Sequence, residues 1–204
     1  MAEKTIYIAT ENENKLKEIK RYAETFSGLH VKFLTLNDLG TTITSQYNPV
    51  EDGDSFLKNA AIKAKALYQL VKAPVMAEDS GLEVDALHGR PGIHSSRYGK
   101  DDAERISRLL GELESFSSQQ RQARFVTSLC FLDEHGNDMY FNGVAGGEIT
   151  LEACGENGFG YDPVFYSPDA QKTFAEITRE EKHAISHRGK ALKQFFTYLS
   201  GMSK

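Results

Sequence analysis

Strand-like and helix-like runs alternate along the first part of the chain, and this alternation restricts the fold more than any other feature. Lys4 to Thr10 carries the β-favouring residues Thr5, Ile6, Tyr7 and Ile8. After a polar run, Leu16, Ile19, Ala23 and Phe26 recur at three- and four-residue steps, leaving Lys17, Glu18, Lys20 and Arg21 for solvent. Val31 to Leu34 reads as a second strand. Phe56, Ala60, Ala64, Leu67 and Val71 mark the buried face of another helix, which Ser55 or Asp54 caps. The apolar run Pro74-Val75-Met76 then predicts a further strand, so the order is that of an α/β protein.

That run leads into Ala77-Glu78-Asp79-Ser80-Gly81-Leu82. A strand ending in two acids, a hydroxyl and a glycine is where an α/β protein holds a metal ion at the mouth of its sheet. The same residue types also make an ordinary acidic turn. Thr10 to Lys15 is a strand-to-helix loop, in which backbone N–H groups and one lysine suit a phosphate, although the glycines of a P-loop are absent. A polar capping loop is the competing reading. Glu51 and Asp52 precede a helix, as acids do for dipole reasons alone, and Lys63 lies at the edge of that helix's buried face.

Beyond the acids, Leu82 to Leu87 alternates like a half-buried strand. His88 to Gly99 is a shaped loop whose two histidines lack metal-pair spacing. Asp101-Asp102 caps a helix running to about Leu113, and the polar stretch 114–122 predicts a boundary between two lobes of one domain spanning residues 1–204. Ala123–Leu132 and Met139–Val144 read as a hairpin, and Gly146 to Ile149 as the start of another strand. In Gly155 to Phe165, glycines alternate with aromatics, so the backbone can approach a flat ligand while Phe159 or Tyr161 covers its face; a tight turn with packed aromatics is the alternative. Thr178 opens a helix with a capping box, and Ser186 caps the last helix, whose inner face is Leu192, Phe195, Phe196 and Leu199.

A net charge of −5 over 204 residues argues against a broad nucleic-acid-binding face, while leaving room for a small phosphorylated ligand held by a few lysines. No run is long enough to cross a bilayer, the first residues do not read as a signal peptide, and Cys130 and Cys154 read as reduced packing residues. A cytoplasmic protein without membrane or nucleic-acid partners is expected.

Five ordered segments, Thr10-x-Asn12-x-x-Lys15, Glu51 to Lys63, Glu78-Asp79-Ser80-Gly81-Leu82 followed by Pro91-Gly92 and Ser96-Arg97-Tyr98, Phe159-Gly160-Tyr161-Asp162-Pro163, and Ser186-His187-Arg188, together resemble the inosine triphosphate pyrophosphatase family. The resemblance implies a mixed, twisted central sheet flanked by helices, with the ligand in a cleft between two lobes, and a homodimer. It implies Mg²⁺-dependent hydrolysis of ITP, dITP or XTP to the nucleoside monophosphate and pyrophosphate. By position, Asp79 is the implied general base and a magnesium ligand, with Glu51 the second ligand. Thr10, Asn12, Lys15, Lys63 and Ser80 then hold the triphosphate, and Phe159 stacks on the base in a pocket shaped by Gly160, Tyr161 and Asp162. Lys182, His187 and Arg188 complete nucleoside recognition. The competing readings are a related pyrophosphatase of different base preference and a non-catalytic nucleotide-binding protein. Two positions depart from the family pattern: Lys58 where a carboxylate is common, and Glu11 where glycine is common.

Overall fold

The computed structural model describes residues 4–26 and 30–201. The elements are β1 (Lys4–Ile8), α1 (Glu13–Glu24), β2 (Val31–Thr35), a short α2 (Thr41–Thr44), α3 (Phe56–Val71), β3 (Val75–Val84), α4 (Asp102–Glu112), β4 (Gln122–Leu132), β5 (Asp138–Ile149), β6 (Phe165–Ser167), β7 (Lys172–Thr173), α5 (Arg179–Ile185) and α6 (His187–Gly201). The strands form a seven-stranded sheet in the order β2-β1-β3-β4-β5-β6-β7. It is mixed, as expected: β1 runs parallel to β2 and β3, whereas β6 is antiparallel to β5 and β7.

The chain divides into two compact units. One comprises residues up to Asp79, Ser128–Asn142 and the chain from Ala191; the other comprises Ser80–Thr127 and Gly143–Lys190. The chain therefore changes unit within β3, β4 and α6 and within β5, and not at 114–122. That stretch lies inside the second unit, where the buried Arg121 guanidinium donates to the carbonyls of Leu113, Phe116 and Thr150. Polar composition makes it resemble a linker, but the buried Arg121 side chain bonds one of its own carbonyls, that of Phe116, and ties it to the Leu113 and Thr150 carbonyls on either side.

In the first unit, side-chain alternation sends consecutive strand residues to opposite faces of the sheet. Met76 of β3 and Leu129 and Phe131 of β4 pack with Ile19 of α1 and with Leu192, Phe195, Phe196 and Leu199 of α6. Val75 and Ala77, with Cys130 and Leu132, pack instead with Ala60, Ala61, Ala64 and Leu67 of α3. Three alanines on α3 let that helix approach the sheet closely. The α3 start is capped by Ser55, whose hydroxyl accepts from the Lys58 N–H. In the second unit, Leu82 and Val84 of β3 join Leu109 and Leu113 around α4, Phe125, Phe165 and Phe174.

Two expectations change. β3 does not end in the acids: Glu78, Asp79, Ser80 and Gly81 are all strand residues, and Leu82 to Val84 continue the same strand. Likewise Gly146 to Ile149 is the far end of β5 and no separate strand. In both cases turn-forming residue types are held extended by neighbouring strands, the usual way in which tertiary context overrides local preference.

Candidate active site

The continuity of β3 decides where the two acids go. Glu78 follows Met76 onto the face carrying α1, and Asp79 follows Ala77 onto the face carrying α3. Glu78 is accordingly paired with Lys15 Nζ of α1 at 3.3 Å. Asp79 accepts from Lys63 Nζ at 3.2 Å and from the Asn59 side-chain amide at 3.3 Å, both on α3. Lys63 also reaches Glu51 Oε2 at 2.9 Å, so one ammonium draws together carboxylates from a loop and a strand. All of these groups lie in the first unit.

Asn59 and Glu78 are contacts that sequence reasoning left out of the site. Asn59 is buried, and its carbonyl oxygen accepts from the Gly53 N–H at 2.9 Å, which fixes the loop leading to α3. Its signal was a polar residue one turn beyond Phe56, beside the apolar series of that helix. Lys58, the departure from the family pattern, pairs with Asp54 at 2.7 Å on the exposed side of the helix start.

The expected phosphate loop is tighter than a loop up to Lys15. Helix α1 begins at Glu13, and the Asn12 side-chain oxygen Oδ1 caps it by accepting from the N–H groups of Asn14 and Lys15. Thr10 Oγ1 accepts from the Asn12 N–H at 3.2 Å. Asn12 therefore has only its side-chain NH₂ to offer a phosphate, and Lys15 stands in the first helical turn. Nearby, burial pushes the Tyr47 phenol up strongly, with the negative charges of Glu51 and Glu11 adding to the effect.

The second unit holds the remaining predicted residues. Ser80 Oγ accepts from an Arg188 guanidinium nitrogen at 3.0 Å. Arg188 and Lys182 both approach the half-buried Phe159 ring, with cationic centres 5.7 and 4.9 Å from its centroid. Lys182 is buried against Asp162 at 2.6 Å, and the same Asp162 oxygen accepts from the Phe159 N–H at 2.8 Å. A side chain at Gly158 would strike that carboxylate, and Gly158 has a φ of 78° that favours glycine. Tyr161 does not offer its ring face: it is buried, its hydroxyl donates to the Ser95 carbonyl at 2.9 Å, and burial raises its pKa strongly. His187 is buried and stacks on Phe125, with ring centroids 4.6 Å apart and planes 10° apart. Phe159, on the left-handed turn between Gly158 and Gly160, is thus the aromatic ring of this loop left accessible at its surface.

Two carboxylates sharing a lysine near a capped helix start, and an aromatic ring flanked by cations on a glycine-rich loop, are the parts that a nucleotide-handling α/β enzyme needs. The chain belongs to the Ham1 family, whose sequence pattern matches residues 6–198. The dITP/XTP pyrophosphatase of Treponema denticola is 43% identical over 204 residues, spanning 96% of this chain and 98% of its own. That of Synechocystis is 40% identical over 202 residues, spanning 97% and 96%. The Ham1 protein structure from Coxiella burnetii superimposes with a TM-score of 0.84 at 39% identity, covering 97% of this chain and 99% of its own. The Staphylococcus aureus Ham1 structure gives 0.85 at 35% identity, covering 98% and 100%. The family resemblance read from the five motifs therefore holds over nearly the full length.

Proposed function

We propose that this protein hydrolyses non-canonical purine nucleoside triphosphates, ITP, dITP and XTP, at the α–β phosphoanhydride, releasing the nucleoside monophosphate and pyrophosphate. The observation that carries this reading is the convergence of Glu51 and Asp79 on Lys63, in a family whose relatives are dITP/XTP pyrophosphatases.

Asp79 accepts the proton of the attacking water, and Asn59 and Lys63 hold its carboxylate in place for that task. Lys15 and Lys63, with the donors of Thr10, Asn12 and Ser80, neutralise and orient the triphosphate, which brings several negative charges that otherwise repel an oxygen nucleophile. Glu51 and Asp79 fit a magnesium ion, because Mg²⁺ takes one or two carboxylates together with phosphates and waters. When bound, the ion supplies charge neutralisation at the phosphate oxygens. Phe159 stacks on the base, while His187 and Arg188 provide donors for the purine 6-oxo group. Adenine carries a donor at that position, so the same groups face an unfavourable pairing. The reading includes a homodimer in the cytosol, for which light scattering of the purified protein is the check.

The test is a panel of ITP, dITP, XTP, ATP and GTP with Mg²⁺, assayed separately for pyrophosphate and orthophosphate. Pyrophosphate is the expected product, with ATP turned over slowly. Orthophosphate as the first product would refute α–β cleavage, and a rate on ATP equal to that on ITP would refute readout of the 6-oxo group, which guanine shares and adenine lacks. Arg188→Ala is expected to weaken ITP more than ATP; an equal loss on both makes Arg188 a general binding residue.

A further inference from the structure

We propose that Asp102 is a positioning residue for the aromatic loop, setting the direction in which Phe159 projects; this rests on the reading of Phe159 as the ring that stacks on the base. Asp101 and Asp102 both stand at the start of α4, but only Asp101 caps the helix, its carboxylate accepting from the Glu104 N–H at 2.8 Å. Asp102 is thereby left for another task. One of its oxygens accepts from the Gly160 N–H at 2.7 Å, across 58 residues of sequence, and the other from Arg105 at 2.6 Å. Arg105 Nε in turn donates to the Gly99 carbonyl at 3.3 Å, so the carboxylate is itself oriented.

The geometry has a specific consequence. The peptide N–H before the Phe159 α-carbon is held by Asp162, and the one after it by Asp102. Fixing both flanking peptide planes fixes φ and ψ of Phe159, and with them the direction of its Cα–Cβ bond. Gly160 sits at φ 63°, where a single backbone rotation re-aims the loop, and a Cβ there would meet no atom within 4 Å. The space beside Gly160 is open, and this peptide is held by hydrogen bonds: its N–H by Asp102, and its carbonyl by the Asp162 N–H at 3.3 Å. An acid in the first turn also favours the helix dipole, a role that involves no loop at all. The two roles differ in what a variant changes.

The experiment measures ITP kinetics for Asp102→Ala, Asp102→Asn, Arg105→Met and Phe159→Ala, with inhibition by inorganic tripolyphosphate, which has no base, and a thermal melt of each. Loss of orientation in Asp102→Ala is expected to raise KM for ITP about tenfold, with kcat changed by no more than about twofold. Asn keeps an oxygen for the Gly160 N–H, so Asp102→Asn is expected to recover most of that loss. Arg105→Met, which leaves the carboxylate in place but unoriented, is expected to raise KM in the same direction by a smaller factor. It also keeps the proposal testable if Asp102→Ala fails to fold. Tripolyphosphate inhibition should match the wild type throughout. A KM near the wild-type value in Asp102→Ala or Arg105→Met, with Phe159→Ala impaired, overturns this role while leaving base stacking intact. An equal loss of tripolyphosphate affinity overturns it by showing general loosening. A Phe159→Ala variant with unaltered KM removes the stacking reading, and this role with it.

Discussion

Replacing Asp79 by Asn keeps the shape of the side chain and removes its charge and basicity, which separates chemistry from folding. Asp79 is buried between Lys63 and Asn59, and it loses one charge-assisted hydrogen bond in the variant. Such a bond is worth about 1.5–3 kcal/mol, but Lys63 keeps Glu51 at 2.9 Å, so the net loss of stability should lie near the lower end, about 1–2 kcal/mol. For a chain of this size that lowers Tm by about 2–8 °C. The catalytic loss is larger. A positioned general base contributes about 10²–10⁴-fold, and weakening a metal ligand adds to it, so turnover should fall by about 10⁴, or 5.5 kcal/mol. Pyrophosphate release from ITP, measured beside a thermal melt of the same preparation, reads both effects. A folded Asp79→Asn protein retaining activity within about tenfold of the wild type would remove Asp79 from the reaction. A Tm loss well beyond the range above would instead make the residue chiefly structural.

Three further outcomes follow from contacts within single units. Lys182→Met leaves the Asp162 carboxylate buried without its ammonium and should cost about 3–5 kcal/mol in urea unfolding, whereas Lys182→Met with Asp162→Asn should cost less; equal losses would show that the stranded charge is not the cause. Gly189→Ala places a methyl group against the His183 carbonyl oxygen at the junction of α5 and α6, and should destabilise by about 1–3 kcal/mol; an unchanged denaturation midpoint contradicts that packing. Burial alone would raise the Glu112 carboxyl, but hydrogen bonds from Tyr98 and Arg108 and the charges of Arg90 and Arg108 outweigh it and lower the pKa. A depressed carboxylate stabilises the fold fully above its unfolded value of about 4.5 and loses that contribution as pH falls through the lowered value. Glu112→Gln should therefore be less stable than the wild type at pH 7 and close to it in strong acid; a difference independent of pH would exclude this linkage.

The chain's own chemistry determines the elements and the residue types at their ends. Periodicity alone places α1, α3 and α6 and their inner faces, because helices must bury one stripe, and Leu192, Phe195, Phe196 and Leu199 are buried where the spacing puts them. The five motifs likewise carry the family, since each is a short contiguous pattern. What the sequence leaves open is which neighbour each side chain meets. Glu78 and Asp79 look like one acidic pair in a turn, yet strand pairing holds them extended and sends them to opposite faces, one to Lys15 and the other to Asn59 and Lys63. Tyr161 and Phe159 look interchangeable as ring faces, but Tyr161 is buried with its hydroxyl bonded to the Ser95 carbonyl, whereas Phe159 stays partly accessible. Asp102 reads as a second helix cap until the fold brings Gly160 within its reach. The division has one physical origin: helix period and capping are interactions across a few residues, whereas the partner of a strand side chain is set by elements tens of residues away, which local patterns do not encode.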